Sequence, residues 1–352
     1  NVAVLTGSTK EKERKIMLSQ LKKGEIDILI GTHALIEKRV EFRRLGLVII
    51  DEQHKFGVAQ RAKLWSKKRE FYPHVLVMTA TPIPRTLALT LYGDLDVSVI
   101  DELPSGRKEI ITSHRFDNSR LKVFNFIKKT VDLGGQVYVV YPLIEESAKK
   151  DHKDLMDGYK SLTRYFPETQ IGVLHGRMKS ENKEYEMKRF ADGKSKILVS
   201  TTVIEVGVDV ANASVIIIES AERFGLSQLH QLRGRVGRGS AQSYCILMTK
   251  YDLNNDSKER IKAMVGSSDG FKIANVDLKM RGPGNMMGTK QSGLLELRFV
   301  NLAEDYNVIK QTRVVASEVI KEDPNLNDQK NKGTKEYLKK SIKSNINWSR
   351  VS

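Results

Sequence analysis

Short apolar runs recur along the chain, separated by polar stretches of helix-favouring composition. Ile26-Asp-Ile-Leu-Ile30, Leu47-Val-Ile-Ile50 and Val75-Leu-Val-Met78 form a first series that ends near Leu103. A strand buried on both faces reads as a continuous apolar run, so this rhythm predicts βαβ units and a parallel sheet. Lys10 to Gly24 predicts a helix, with Ile16, Met17 and Leu21 near one face and Gly24 as its stop. Leu103-Pro-Ser-Gly-Arg107 concentrates turn-forming residues and marks an inter-domain linker. A second series follows: Val137-Tyr-Val-Val140, Ile171-Gly-Val-Leu174, Ile197-Leu-Val199, Val215-Ile-Ile-Ile218 and Tyr244 to Met248. Beyond Lys250 the sequence becomes polar and helix-favouring, interrupted by a glycine-rich loop from Arg281 to Gly293. The Lys- and Asn-rich stretch from Asp323 has few large apolar residues to add to a core. The expected fold class is α/β, with tandem parallel-sheet domains at residues 1–103 and 104–250 and a mainly helical region at 251–352.

Composition narrows the setting. No run approaches the about 18 apolar residues of a membrane span, and the first residues lack a signal peptide's basic start and cleavage region, so a cytoplasmic location is expected. The single cysteine, Cys245, excludes an internal disulfide and a cysteine-based metal site, and its apolar surroundings suit a buried strand. Lys and Arg number 59 against 43 Asp and Glu, a formal charge of +16. That excess favours a polyanionic partner through counterion release, without saying which one.

Chemistry-bearing residues cluster where the runs end. Leu47 to Ile50 leads into Asp51-Glu-Gln-His54, and ligands of open α/β sheets bind at the carboxyl ends of strands. Asp51 is a candidate to hold Mg²⁺ through water, Glu52 to orient or deprotonate an attacking water, and His54 to sense a nucleotide. Taken alone, the same run also describes a strand closing in a solvated acidic turn. Thr79 and Thr81, in Met78-Thr-Ala-Thr-Pro-Ile-Pro-Arg85, offer hydroxyls to the acidic pair or to a phosphate; an ordinary Thr-Pro turn is the alternative. Thr32 and His33 follow Gly31 at an equivalent strand end and would reach a nucleic-acid backbone, or form a plain strand-to-helix turn.

In Ser200-Thr-Thr-Val-Ile-Glu-Val-Gly-Val-Asp209, Thr201 and Thr202 would donate to a phosphate at a helix start. Gly207 permits close backbone approach, and Asp209 would accept from a ribose or an arginine; a helix cap accounts for the hydroxyls equally well. Gln231-Leu-Arg-Gly-Arg-Val-Gly-Arg238 is the most specific segment. Arg235 and Arg238 are three apart, so on a helix they project from one face. Guanidinium groups on a γ-phosphate speed hydrolysis by roughly 10³ to 10⁵. A merely basic, solvated helix would not carry Gly234, Gly237 and Gly239, which weaken helices.

With these residues in order, the chain resembles superfamily 2 helicases. Asp51-Glu-Gln-His-Lys-Phe-Gly-Val58, Thr79-Ala-Thr-Pro-Ile-Pro-Arg-Thr86 and Leu5-Thr-Gly-Ser8 are similar to the RecG family. So are Asp269 to Gly284, ending in Arg281-Gly-Pro-Gly284, and Gly288-Thr-Lys-Gln-Ser-Gly293. The resemblance runs from residue 1 to about residue 320. It implies two RecA-like domains, the first incomplete, with ATP and Mg²⁺ as cofactors. It also implies Gln231 at the nucleotide, His175 at DNA, and a translocation motif that places Arg260 in a helical hairpin and Arg281 and Gln291 on its loop. Asn285 departs from the acid usual in the family, which puts one local loop contact in doubt.

The activity implied is ATP-dependent remodelling of branched double-stranded DNA, such as stalled forks and Holliday junctions. A single-stranded-DNA-binding protein is a candidate partner. A phosphate-cradling Gly-x-x-x-x-Gly-Lys-Ser/Thr is missing ahead of the acidic box. Gly193-Lys-Ser195 does not replace it, because Lys188 stands where the first glycine belongs and a strand follows. The chain is therefore expected to open inside the first motor domain, without the wedge domain, and to be inactive as an ATPase alone. An Mfd-type transcription-repair translocase, an RNA-directed superfamily 2 helicase and a non-catalytic basic DNA-binding fragment are the competing readings.

Overall fold

The computed structural model describes residues 1–52, 73–80, 96–100, 102, 104, 106–142, 148–201, 210–281 and 305–344. The chain divides into two compact units, Asn1–Ala80 with Ala316–Ser352, and Thr81–Val315.

In the first unit β1 (Val2–Leu5) and β2 (Ile28–Gly31) pair in parallel across α1 (Glu11–Lys23), and β3 (Leu47–Ile50) pairs in parallel with β4 (His74–Val77). Helix α1 stops where Gly24 takes φ 79° and its N–H bonds back to the Leu21 carbonyl at 3.1 Å. Leu21 is buried with Leu5, Ala34 and Val40, and Met17 packs beside it. Ile16 instead points to solvent, 55% exposed. Met17 and Leu21 are one helical turn apart and share a face, which rotates Ile16 about 100° away.

The second unit is built on a parallel six-stranded sheet. Its strands are β5 (Ile111–Phe116), β6 (Gln136–Val140), β7 (Ile171–Leu174), β8 (Ile197–Ser200), β9 (Ala213–Ile218) and β10 (Tyr244–Thr249), in the order β5-β10-β9-β6-β8-β7. Alternate residues feed two cores. Val137, Val139, Ile197, Val199, Val215 and Ile217 meet α2 (Arg120–Asp132) and α3 (Ala148–Tyr165) on one face. Tyr138, Val140, Leu198, Ile216 and Ile218 meet α4 (Ser180–Ala191) and α5 (Leu226–Arg233) on the other. Each fully buried aliphatic side chain there contributes about 1.5–3 kcal/mol. Cys245 lies buried in β10, and burial pushes its thiol up to about 12, as an inert strand residue requires.

Strand β5 is absent from the predicted series. Its Ile-Thr-Ser-His-Arg-Phe sequence lacks an apolar run; the strand pairs only with β10, and none of its residues is buried. Two helices follow β10, α6 (Asn255–Gly266) and α7 (Gly270–Arg281), and both pack onto the α5 face. The Asn254 side chain caps α6 by accepting the Ser257 N–H at 2.8 Å. Helices α8 (Tyr306–Glu322) and α9 (Lys332–Ser344) are joined by a polar knot. The Asp323 carboxylate accepts from the N–H groups of Asn327 and Asp328, at 2.9 and 2.8 Å, and from Asn331 Nδ2 at 2.9 Å. Among the described residues no helix is long and apolar enough to cross a membrane.

Candidate functional site

The first unit gathers its polar residues at the carboxyl ends of its strands. Ile50 pairs with Val77, and Met78 donates its N–H to the Ile50 carbonyl at 2.7 Å. Asp51 and Glu52 therefore leave β3 beside Met78 and Thr79 leaving β4. Glu52 takes φ 51°, a left-handed conformation uncommon outside glycine, and donates its N–H to Asp51 Oδ1 at 2.8 Å. Asp51 is exposed and Glu52 half-buried. One exposed carboxylate suits Mg²⁺ at a nucleotide, since that ion keeps several waters and takes substrate phosphates. Among the described residues no group of three or more His, Cys, Asp or Glu could hold a metal ion. His54 and Thr81 lie outside the described residues.

The β1–β2 pair ends in the same manner, with Leu5 beside Gly31. A Cβ on Gly31 would come within 2.1 Å of the Leu5 carbonyl oxygen, so glycine is required there. Thr32 and His33 follow on the surface, His33 opening a short 3-10 turn, His33–Ile36.

In the second unit His175 follows β7 and Thr201 follows β8, and the Thr201 N–H bonds the Leu174 carbonyl at 3.2 Å. The Thr201 hydroxyl is buried, without a hydrogen-bond partner among the described residues. Thr202, Gly207 and Asp209 lie outside the described residues.

The arginine segment departs from expectation. Helix α5 ends at Arg233, so Gln231 is helical while Arg235 and Arg238 lie in the turn beyond it. Helical spacing does not relate them. Gly234 caps the helix, and Gly237 at φ 79° turns the chain, its carbonyl held by Arg107 Nε at 2.8 Å. Val236 is fully buried and anchors this turn; Arg235 is half-buried and Arg238 exposed.

Arg233 was not among the expected functional residues. It is 3% exposed, and its guanidinium donates to the carbonyls of Met264 (3.1 Å), Ser267 (2.7 Å) and Ser268 (3.0 Å). It also donates to His230 Nδ1 at 3.1 Å. Burial, with Arg233 beside it, lowers the His230 imidazole to about 4, so the ring is neutral and accepts. Ser227 adds a second tie, to Asp277 of α7 at 3.0 Å. Arg260 is braced as well, donating to the Glu222 carbonyl and the Ser257 hydroxyl, each at 2.9 Å. The 231–238 segment and the α6–α7 pair thus form one interlocked body. A sequence signal for Arg233 existed: it shares the helical face of Leu226 and Leu229, both buried. Arg281 ends α7, and Gln291 lies outside the described residues.

Comparisons with known proteins match this layout. The family model for the DEAD/DEAH box helicase matches residues 1–90, and that for the helicase conserved C-terminal domain matches 121–240. The model for ATP-dependent DNA helicase RecG, domain 3, C-terminal, matches 267–352. The ATP-dependent DNA helicase RecG of Synechocystis sp. is 56% identical over 326 residues, 92% of this chain and 39% of that protein. The chain belongs to the RecG family. Its counterpart from Aquifex aeolicus is 50% identical over 331 residues, 93% of this chain and 42% of that protein. A solved structure of RecG bound to a three-way DNA junction aligns with a TM-score of 0.66 at 46% identity, over 88% of this chain and 39% of that one. The chain thus spans less than half the length of these RecG relatives.

Proposed function

We propose that the chain is the motor region of a cytoplasmic, RecG-type ATP-dependent DNA helicase, one that remodels stalled forks and Holliday junctions during recombination and repair. The match of residues 267–352 to a model specific to RecG carries this reading. The relative solved on a three-way DNA junction supports branched DNA as substrate. The same match favours RecG over an Mfd-type translocase.

ATP with Mg²⁺ supplies the phosphoryl chemistry. Asp51 would hold the ion, and Glu52, set by the turn at φ 51°, would orient the attacking water. Gln231, His54, Gly207 and Asp209 bind the nucleotide, while Arg235 and Arg238 stabilise charge on the γ-phosphate. Thr79 and Thr81 couple that site to DNA, which Thr32, His33, His175 and Thr202 contact; Thr201, only 2% exposed, is too buried to share in that contact. Because Arg233 bonds the carbonyls at 264–268, any displacement of the arginine turn carries α6 and α7 with it. Arg260 stiffens that pair, and Arg281 and Gln291 transmit the motion to duplex DNA.

The sequence holds no phosphate-cradling Gly-Lys-Ser/Thr loop ahead of Asp51, so the polypeptide alone is proposed to bind DNA without turning over ATP. A DNA-stimulated ATPase in the purified chain would sink that second proposal. Fork-dependent rather than polymerase-dependent ATPase in the full-length protein tests the first.

A further inference from the structure

We infer that Arg14 is a positioning residue for DNA contact, its buried guanidinium locking the turn at 6–9 to the segment at 32–37 so that both strand ends meet one stretch of backbone. The inference rests on the DNA-binding reading above.

Arg14 projects inward from α1 and is 5% exposed. Its Nη1 donates to both Glu37 carboxylate oxygens, at 3.0 and 3.1 Å, and its Nη2 to the Thr6 carbonyl at 2.9 Å. Thr6 opens the turn that follows β1, and Glu37 closes the 3-10 turn that follows β2 and Thr32. The two strands are paired neighbours, and the glycine demanded at position 31 shows how closely their ends approach.

Each partner is itself wired in place. The Thr6 N–H donates to Thr9 Oγ1 at 3.0 Å, the Thr9 N–H returns to the Thr6 carbonyl at 3.3 Å, and the Thr6 and Ser8 hydroxyls are 2.9 Å apart. Gly7 and Ser8 stand exposed at the tip. Glu37 also accepts from Arg39 Nε at 2.6 Å, and Arg39 Nη1 reaches Glu11 of α1 at 3.2 Å. Hydrogen bonds from Arg39 first and Arg14 second hold the Glu37 carboxyl below its usual range. A planar fork can serve a carboxylate and a carbonyl together, whereas an ammonium is a single point charge. Hydroxyls and backbone N–H groups that grip successive phosphates fix register on the duplex only if their spacing is fixed.

Arg14→Met isolates the effect. It keeps the apolar stem, and Glu37 retains Arg39, so no carboxylate is stranded. Binding of the chain to a labelled duplex oligonucleotide at fixed salt should weaken by roughly threefold to tenfold, the worth of a hydrogen bond to phosphate, with the salt slope kept, because neutral hydroxyls and N–H groups displace no counterions. Ser8→Ala should also weaken binding, and adding it to Arg14→Met should weaken it no further, because Arg14 acts through that turn. Arg14→Lys, the gentler change should Met prevent folding, should also weaken binding. A lowered melting temperature with an unchanged affinity, or fully additive losses in the double variant, would overturn the inference. Absence of salt-dependent DNA binding by the wild-type chain would defeat the DNA reading and this inference together. Normal wild-type binding matched by Arg14→Met would defeat the inference alone.

Discussion

Arg14 and Arg233 are both nearly inaccessible arginines, at 5% and 3% exposure, but their charges are answered in different ways. Arg14 faces a carboxylate, Glu37, and one carbonyl. Among the described residues Arg233 has no carboxylate as hydrogen-bond partner; it meets the Met264, Ser267 and Ser268 carbonyls and the neutral His230 ring. Burial lowers the Arg233 guanidinium accordingly. The end of α6 carries the negative pole of its helix dipole, which lets carbonyls substitute for an acid. A side-chain partner can be exchanged without disturbing the backbone, but a set of carbonyls exists only while the α6–α7 turn keeps its shape. Arg14 therefore ties two loops, and Arg233 reports the conformation of a whole helical pair.

The largest expected effect breaks the second arrangement. Arg233→Ala leaves the buried Met264 carbonyl unanswered and removes the packing of the long side chain, and should destabilise the second unit by about 3 kcal/mol in urea unfolding. A loss no greater than that of an exposed arginine would show that the carbonyl cluster needs no cation.

Acid should act on the same cluster next. The unfolded chain takes up the His230 proton near pH 6.5, roughly, and the folded chain only near about 4. Stability is thus complete above the higher value and falls as pH drops through that window, by on the order of 3 kcal/mol. His230→Asn, which keeps an acceptor and cannot titrate there, should flatten this part of the profile; an unchanged slope would remove His230 from the account.

Arg14→Met should cost the least stability, about 1 kcal/mol by thermal unfolding, because Arg39 still neutralises Glu37. If it equals Arg233→Ala, the contrast between the two arginines fails.

The fold was legible where burial on both sheet faces wrote itself as apolar runs. Ile197 to Val199 and Val215 to Ile218 lie in β8 and β9, and Gly24 ends α1 as its special conformation demands. Strand β5 was hidden because none of its residues is buried, so it needs no such run. The arginine segment was legible as chemistry but not as geometry: Gly234 and Gly237 end the helix that a three-residue spacing would have used. Arg233 escaped notice because its partners are backbone carbonyls more than thirty residues away, and carbonyls leave no mark in a sequence.

The most direct measurement is ATP turnover by the full-length protein on branched and linear duplex DNA, with and without Arg238→Ala. Branched DNA should stimulate the wild type more than linear duplex, and the variant should lose roughly 10³-fold or more while still binding DNA. Turnover undiminished in the variant, or indifferent to DNA structure in the wild type, would contradict a RecG-type motor driven through this arginine turn.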